Sequence, residues 1–95
     1  MKQEKSLQDD CLGYLEGQGI YCVNTHGNAF ERRGRPDIYI CFMGRFIGCE
    51  LKRGADNRPT ALQLKHLREI KKNGGIGVWI TTLDQLKNLL SSLAP

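Results

Sequence analysis

Several features of other protein classes are missing from this sequence of 95 residues. No apolar run approaches the roughly 18 residues needed to cross a membrane. The first ten residues, MKQEKSLQDD, are charged and lack the apolar stretch of a signal peptide. There is no repeat, low-complexity tract or linker, and only three prolines interrupt the chain. We therefore expect residues 1–95 to form one domain, cytoplasmic and without membrane contact.

The cysteines lack the close spacing of redox and zinc-binding motifs. No C-x-x-C pair occurs, and each cysteine falls in a segment that we predict as helix or strand. The pattern favours free, buried thiols in a reducing compartment, with a disulfide or zinc framework as the alternative. The four residues are Cys11, Cys22, Cys41 and Cys49.

Positive charge is concentrated in the middle of the chain. The formal net charge is +4, but residues 1–31 carry two basic and five acidic side chains, a balance of −3. Residues 32–72 carry eleven basic and four acidic side chains, a balance of +7. Such a segment is typical of a surface that binds phosphates, although an ordinary solvated surface would also explain it.

Apolar periodicity predicts seven elements in the order α-β-β-β-α-β-α. Two strands around a turn at 43–45 read as a hairpin, and the next helix leads to another strand. This order predicts an α/β domain whose mixed sheet is flanked by helices. The predicted helices cover about 3–17, 60–72 and 82–93, and the predicted strands cover about 20–24, 37–42, 46–52 and 76–81.

Two T-x-x-Q sequences mark the starts of the second and third helices. Thr60 with Gln63, and Thr82 with Gln85, each form a predicted capping box. The second helix is predicted to bury four apolar residues, and the third carries an apolar stripe of leucines. The buried set in the second helix is Ala61, Leu64, Leu67 and Ile70.

Two carboxylates and a lysine are predicted to meet at one end of the hairpin. Residues two apart on a strand share a face, so Glu50 and Lys52 lie together while their neighbours pack the other face. The antiparallel partner strand begins at Asp37, which brings this carboxylate close to both. A plain ion pair between Glu50 and Lys52 is the alternative reading.

This grouping suits hydrolysis of a phosphodiester bond. Carboxylate oxygens of Asp37 and Glu50, with the backbone carbonyl of Leu51, can hold Mg²⁺ or Mn²⁺. A bound metal activates water and neutralises charge developing on the phosphate. Lys52 could then orient or deprotonate the attacking water, or stabilise the transition state.

The same residues resemble the signature of the PD-(D/E)xK nucleases. Pro36-Asp37 is followed, after twelve residues, by Glu50-Leu51-Lys52, and Gly74-Gly75 precedes the last strand. The whole chain is similar to short, stand-alone VRR-NUC domains, often from phages. The resemblance implies that Glu4 on the first helix contributes to the metal site, directly or through water. It also implies that Gln63 contacts the active site, a role that can coexist with capping.

The long loop between residues 24 and 36 is predicted to contact DNA. It contains two glycines and three arginines without apolar periodicity. The two histidines of the chain are not spaced as a metal-binding pair, so we assign His26 to DNA rather than to metal. The predicted backbone contacts, which position DNA without reading its sequence, are His26, Arg32, Arg33, Arg35 and Arg53.

No base-reading element accompanies the predicted catalytic core. The resemblance therefore implies a structure-selective endonuclease that acts on branched DNA, particularly four-way (Holliday) junctions, as in recombination and repair. A homodimer would supply two symmetric cuts, with contacts through the terminal helix or through Phe30 or Phe46. The alternatives are a nuclease for flaps or other branched DNA and a DNA-binding module without catalysis. For a phage-encoded protein, the compartment would be the host cytoplasm.

Overall fold

The computed structural model describes residues 4–26, 33–54 and 57–95, except for the side chains of Glu4 and Lys5. Its element order confirms the predicted α-β-β-β-α-β-α arrangement. The helices are α1 (Glu4–Gly17), α2 (Ala61–Lys72) and α3 (Leu83–Leu93), and the strands are β1 (Tyr21–Asn24), β2 (Ile38–Phe42), β3 (Arg45–Leu51) and β4 (Ile76–Ile80). None of the helices in these ranges has the length and hydrophobicity needed to span a bilayer.

The four strands form one mixed sheet in the order β1-β2-β3-β4. The β1–β2 and β2–β3 pairs are antiparallel, whereas β3 and β4 are parallel because α2 connects them. The hairpin turn is shorter than predicted, since Arg45 already pairs with Phe42. Met43 and Gly44 both have positive φ angles, 51° and 77°, as a tight two-residue hairpin turn requires.

Helices cover the sheet unequally on its two faces. On one face, α1 and α3 enclose the main core, whose members include Leu15, Ile38, Leu51 and Leu86. On the other face, α2 lies across β3 and β4 and leaves much of β1 and β2 uncovered. Tyr21 is 70% exposed there, Val23 is 40% exposed and Phe46 is 46% exposed. The register places these three side chains on the α2 face, because cross-strand partners point to the same side.

Both capping boxes form as predicted, with reciprocal bonds between the threonine and the glutamine three residues later. The predicted buried face of α2 was wrong in part. Leu67 is buried, but Ala61 is exposed and Leu64 is 37% exposed. The backbone of α2 approaches the sheet closely at Gly77, opposite Leu67, whereas Leu62 in its first turn packs against Gly34.

The four cysteines, all in the described part of the chain, are free thiols, as predicted. Their predicted burial holds for Cys11 and Cys49 only, since Cys22 is partly buried and Cys41 is exposed. Burial, with a smaller contribution from Asp10, raises the pKa of Cys11 to about 11. Burial also raises the pKa of Cys49, so both thiols stay protonated near neutral pH and are poor metal ligands.

Replacing Gly77 with alanine is expected to destabilise the protein more than the same change at Gly48. A Cβ at Gly77 would lie 2.4 Å from the backbone oxygen of Leu67, whereas a Cβ at Gly48 would meet the flexible end of Ile70 at 2.3 Å. A side chain can rotate away, but the helix backbone has to shift. We expect Gly77→Ala to lower the free energy of unfolding by roughly 3 kcal/mol and Gly48→Ala by about 1 kcal/mol. Urea unfolding of both variants checks this, and equal losses would contradict it.

Candidate active site

The hairpin brings the carboxylate of Asp37 against the end of β3. Asp37 directly precedes β2, and its Oδ2 accepts a hydrogen bond of 2.7 Å from the backbone N–H of Leu51. Leu51 stands between Glu50 and Lys52 in the chain. Its bond to Asp37 therefore brings Asp37 close to Glu50 and Lys52, the other two residues of the predicted catalytic group. The other carboxylate oxygen, Oδ1, contacts Nε2 of His26. Both oxygens of Asp37 are therefore held in a fixed orientation.

Glu50 and Lys52 form a buried ion pair on the α2 face of the sheet. Lys52 Nζ lies 3.6 Å from Glu50 Oε2, and the two side chains are only 10% and 3% exposed. Their neighbours Ile47, Cys49 and Leu51 point into the core on the opposite face, as strand alternation predicts. Removing two charges from water costs several kcal/mol, so this pair is expensive to keep in an apolar strand.

Exposure rises steadily from the ion pair towards His26. The side chain of Asp37 is 13% exposed and that of His26 is 49% exposed, whereas that of Glu50 is 3% exposed. Solvent therefore reaches the group from the side of His26 and Asp37. A bound ion or phosphate would approach along the same path.

The donor set fits a hard divalent cation. Asp37 and Glu50 supply carboxylates beside the backbone of Leu51, and oxygen ligands of this kind suit Mg²⁺ or Mn²⁺. Within the described ranges, no three His, Cys, Asp or Glu side chains already surround one point. Oε2 of Glu50 lies 3.6 Å from Lys52 Nζ, so a cation would share this carboxylate with the lysine.

The capping role of Gln63 is established by the structure, and its active-site role stays a prediction. Its Oε1 accepts a hydrogen bond of 2.8 Å from the backbone N–H of Thr60, and its own N–H donates to Thr60 Oγ1 at 3.2 Å. These bonds engage the side-chain oxygen. The side-chain amide nitrogen is the atom that would remain for a substrate contact.

Other predicted site residues lie at the borders of the described ranges or outside them. Glu4 is the first residue of α1, but its side chain is outside the described part of the chain, as are Phe30 and Arg32. Arg33 and Arg53 are exposed and Arg35 is partly buried. A Cβ at Gly34, between two of these arginines, would lie 2.5 Å from Leu62 on α2, so this segment packs closely on that helix.

Charge is divided between the two helical layers. The α2 segment carries four basic residues and one acidic residue, a balance of +3. The α1 segment carries four acidic residues and one basic residue, a balance of −3, and α3 is neutral overall. The positive layer is the one that covers Glu50 and Lys52, which favours approach of a polyanion to this face.

The position of His26 was not predicted. Its imidazole contacts the carboxylate of Asp37, and the predicted contact of His26 with the DNA backbone stays a prediction. The backbone N–H of Thr25 donates to the carbonyl of Asp37 at 3.1 Å, which continues the β1–β2 pairing by one residue. This proximity follows from the pairing of β1 with β2, which was not predicted from the sequence, because a residue just after β1 must lie near the start of β2.

Comparison with known proteins identifies the fold. No family model matches the sequence, and no curated protein matches it. A solved structure named "VRR_NUC domain" superposes with a TM-score of 0.80 at 19% identity, covering 99% of this chain and 100% of that one. Another, named "VRR_NUC domain protein", gives a TM-score of 0.75 at 19% identity over 97% of this chain and 85% of that one. The chain therefore has the fold of these VRR_NUC domain structures.

Proposed function

We propose that this protein is a metal-dependent DNA endonuclease whose active site contains Asp37, Glu50 and Lys52. The observation that carries the proposal is the buried Glu50–Lys52 pair, beside which Asp37 is held by the N–H of Leu51. Burying two charges in an apolar strand costs several kcal/mol of desolvation, which favours a use for these charges other than folding. The likeness in fold to VRR_NUC domains supports a nuclease.

Each residue of this group has a distinct role in the proposed reaction. Asp37 and Glu50 would bind Mg²⁺ or Mn²⁺ together with the carbonyl of Leu51, and Glu4 would contribute directly or through water. When bound, such a metal would supply an activated water and neutralise charge on the phosphate. Lys52 would hold the attacking water and donate to the phosphate oxygens as negative charge develops. Gln63 would contact the substrate through its amide nitrogen.

The proposed substrate is branched DNA, with the four-way junction as first choice and flaps as the alternative. The described elements are all used to build the sheet and its two layers, so none projects as a separate reader of base edges. Arg33, Arg35 and Arg53, together with the basic residues of α2, offer contacts to phosphates, which carry shape rather than sequence.

We propose a homodimer, and of the contacts that the sequence suggested we favour the surface around Phe46 over the terminal helix. The apolar stripe of α3 is used within its own chain, since Leu86 is fully buried and Leu90 is 4% exposed. The uncovered sheet face offers Tyr21, Val23 and Phe46 instead, with Phe46 in ring contact with Tyr39 at 5.2 Å. Two copies joined there by a two-fold axis would each present one active site.

Cleavage of a labelled four-way junction tests the proposed function. Linear duplex and flap substrates serve as comparisons, with Mg²⁺ or Mn²⁺ added and with Asp37→Asn as the inactive control. We expect paired symmetric nicks in the junction that require metal and are absent with the variant. Cleavage of flaps alone would replace the four-way junction with flaps as the proposed substrate. Single unpaired nicks in the junction would count against the dimer. Binding to every substrate without cleavage would reduce the protein to a DNA-binding module.

Loss of the arginines near the site is expected to weaken the salt dependence of DNA binding. Each phosphate contact that is lost should reduce the slope of log K against log salt by about 1. We expect this for Arg33→Gln and for Arg53→Gln, measured by fluorescence anisotropy of labelled DNA. Lys87→Gln is the matched control, because Lys87 lies on α3 over the ring of Tyr14, in the opposite layer. Equal slopes in all variants would remove these arginines from the interface.

A further inference from the structure

We infer that His26 is a ligand of the metal and that its nitrogen makes the site prefer a transition-metal ion such as Mn²⁺ over Mg²⁺. The inference rests on the proposed function, since it assigns a further residue to the same metal site. Its starting point is the contact between His26 Nε2 and Asp37 Oδ1. These two atoms converge at the solvent-accessible edge of the group, on the path along which an ion would approach.

Hydrogen bonds to β1, to α1 and to the segment before β2 hold the backbone at His26 in place. Its backbone N–H donates to Asn24 Oδ1 at 2.9 Å, and the same oxygen accepts a bond of 2.7 Å from Gln8 Nε2 on α1. The preceding Thr25 donates from its hydroxyl to the carbonyl of Pro36 at 2.6 Å. Hydrogen bonds of Asn24, Thr25 and the His26 backbone therefore fix the position of the His26 Cα, from which the imidazole extends.

The hydrogen bonding of Asp37 favours a metal ion bound jointly by Asp37 and His26 over a contact that serves folding alone. Its Oδ2 already accepts from the N–H of Leu51, which leaves Oδ1 as the oxygen for a metal. His26 Nε2 contacts that oxygen, so the two atoms converge at one point. A cation would take the place of the proton shared between them, and the two side chains would move apart to ligand distance, with the remaining ring proton on Nδ1.

The chemistry of the added nitrogen predicts the choice of ion. Carboxylates, carbonyls and water suit Mg²⁺ and Mn²⁺ alike, whereas an imidazole is a poor partner for Mg²⁺ and a good one for transition metals. With His26 as a ligand, the site gains affinity for Mn²⁺ without a comparable gain for Mg²⁺. Without it, the remaining oxygen donors would bind the two ions more equally.

Pulsed EPR of bound Mn²⁺ tests this inference independently of cleavage. With Mn²⁺ as the probe, we expect hyperfine coupling to a histidine nitrogen in the wild type, and we expect ¹⁵N-histidine labelling to change it. His26→Asn should abolish the coupling and weaken Mn²⁺ binding at least tenfold by calorimetry, while Mg²⁺ binding changes less than threefold. His66→Asn is the matched control, because His66 lies on α2 beside Gly34 and is not the histidine in contact with Asp37.

The outcomes separate the inference from the proposed function. Tight Mn²⁺ binding without nitrogen coupling in the wild type would overturn the role of His26 and leave metal-dependent cleavage standing. Coupling that survives in His26→Asn but disappears in His66→Asn would assign the metal-bound nitrogen to His66 and would also overturn the role of His26. Failure of the wild type to bind Mn²⁺ at all would overturn the metal dependence itself. The absence of histidine coupling in the wild type would overturn the inference even if a variant does not fold.

Discussion

Replacing Glu50 and Lys52 together with methionine is expected to give a protein that is as stable as the wild type, or more stable, and that does not cleave DNA. The pair is buried, with side chains 3% and 10% exposed and 3.6 Å between the charged atoms. Apolar side chains of similar length avoid the desolvation of both charges, and such replacements are often neutral or stabilising by about 1–4 kcal/mol.

The single replacements are expected to behave in the opposite way. Lys52→Met leaves the carboxylate of Glu50 buried without its lysine, and Glu50→Met leaves the ammonium of Lys52 without its carboxylate. Each should lower the free energy of unfolding by about 3–5 kcal/mol, which is the usual cost of breaking a buried pair from one side. Urea unfolding of the four proteins forms a complete cycle. A double variant that is less stable than both single variants would show that the pair is a structural element and would weaken its assignment to catalysis.

Cleavage by the same proteins separates stability from function. We expect each single variant and the double variant to lose roughly a thousandfold or more in rate, because the metal ligand or the group that stabilises the transition state is gone. A stable but inactive double variant would show that these charges are retained for chemistry rather than for folding.

Asp37→Asn and Asp37→Ala are both expected to abolish metal-dependent cleavage, but only the alanine variant should be clearly less stable. The N–H of Leu51, a residue 1% exposed, donates to Asp37 Oδ2 at 2.7 Å. Alanine would leave this buried donor without an acceptor, at a cost of about 1–3 kcal/mol. Asparagine keeps a side-chain oxygen for the bond and removes only the charge.

Thermal unfolding and Mn²⁺ calorimetry measure the two effects separately. Trp79, the single tryptophan of the chain, pairs with Glu50 in the sheet register and serves as the fluorescence probe of unfolding. We expect Asp37→Asn to keep a midpoint close to that of the wild type while binding Mn²⁺ much more weakly. Unchanged Mn²⁺ affinity in this variant would remove Asp37 from the metal site, and equal stability of the alanine variant would mean that the bond to Leu51 contributes little.

The features that local chemistry controls could be predicted from the sequence. The two T-x-x-Q boxes start α2 and α3 because a threonine oxygen and a glutamine three residues later satisfy the free N–H groups of a helix start. The alternation in β3 separates Glu50 from Cys49 and Leu51 because successive strand residues point to opposite faces. These relations involve neighbours in the chain, so no knowledge of the remaining fold was needed.

The errors arose where a residue's environment depends on distant segments. Apolar periodicity identified the leucines of α2 and α3 but not what covers them. On α2, Leu67 is buried where the helix backbone comes close to Gly77, whereas Leu64, one turn earlier, is 37% exposed. The stripe of α3, one of the surfaces considered for contact with a second copy, packs on the core with Leu86 and Leu90. Periodicity predicts which face of a helix is apolar, but the segment that covers this face is determined by tertiary packing.

By itself, the sequence determined the order of elements, the helix starts and the shared face of Glu50 and Lys52, because backbone geometry and hydrogen bonding over a few residues control each of them. Only the tertiary structure decided that Leu51 holds Asp37, that the Glu50–Lys52 pair is buried, and that His26 lies at Asp37. These contacts depend on strand register and on the close approach of α2. Both arise when segments far apart in the chain pack together, which local sequence patterns do not specify.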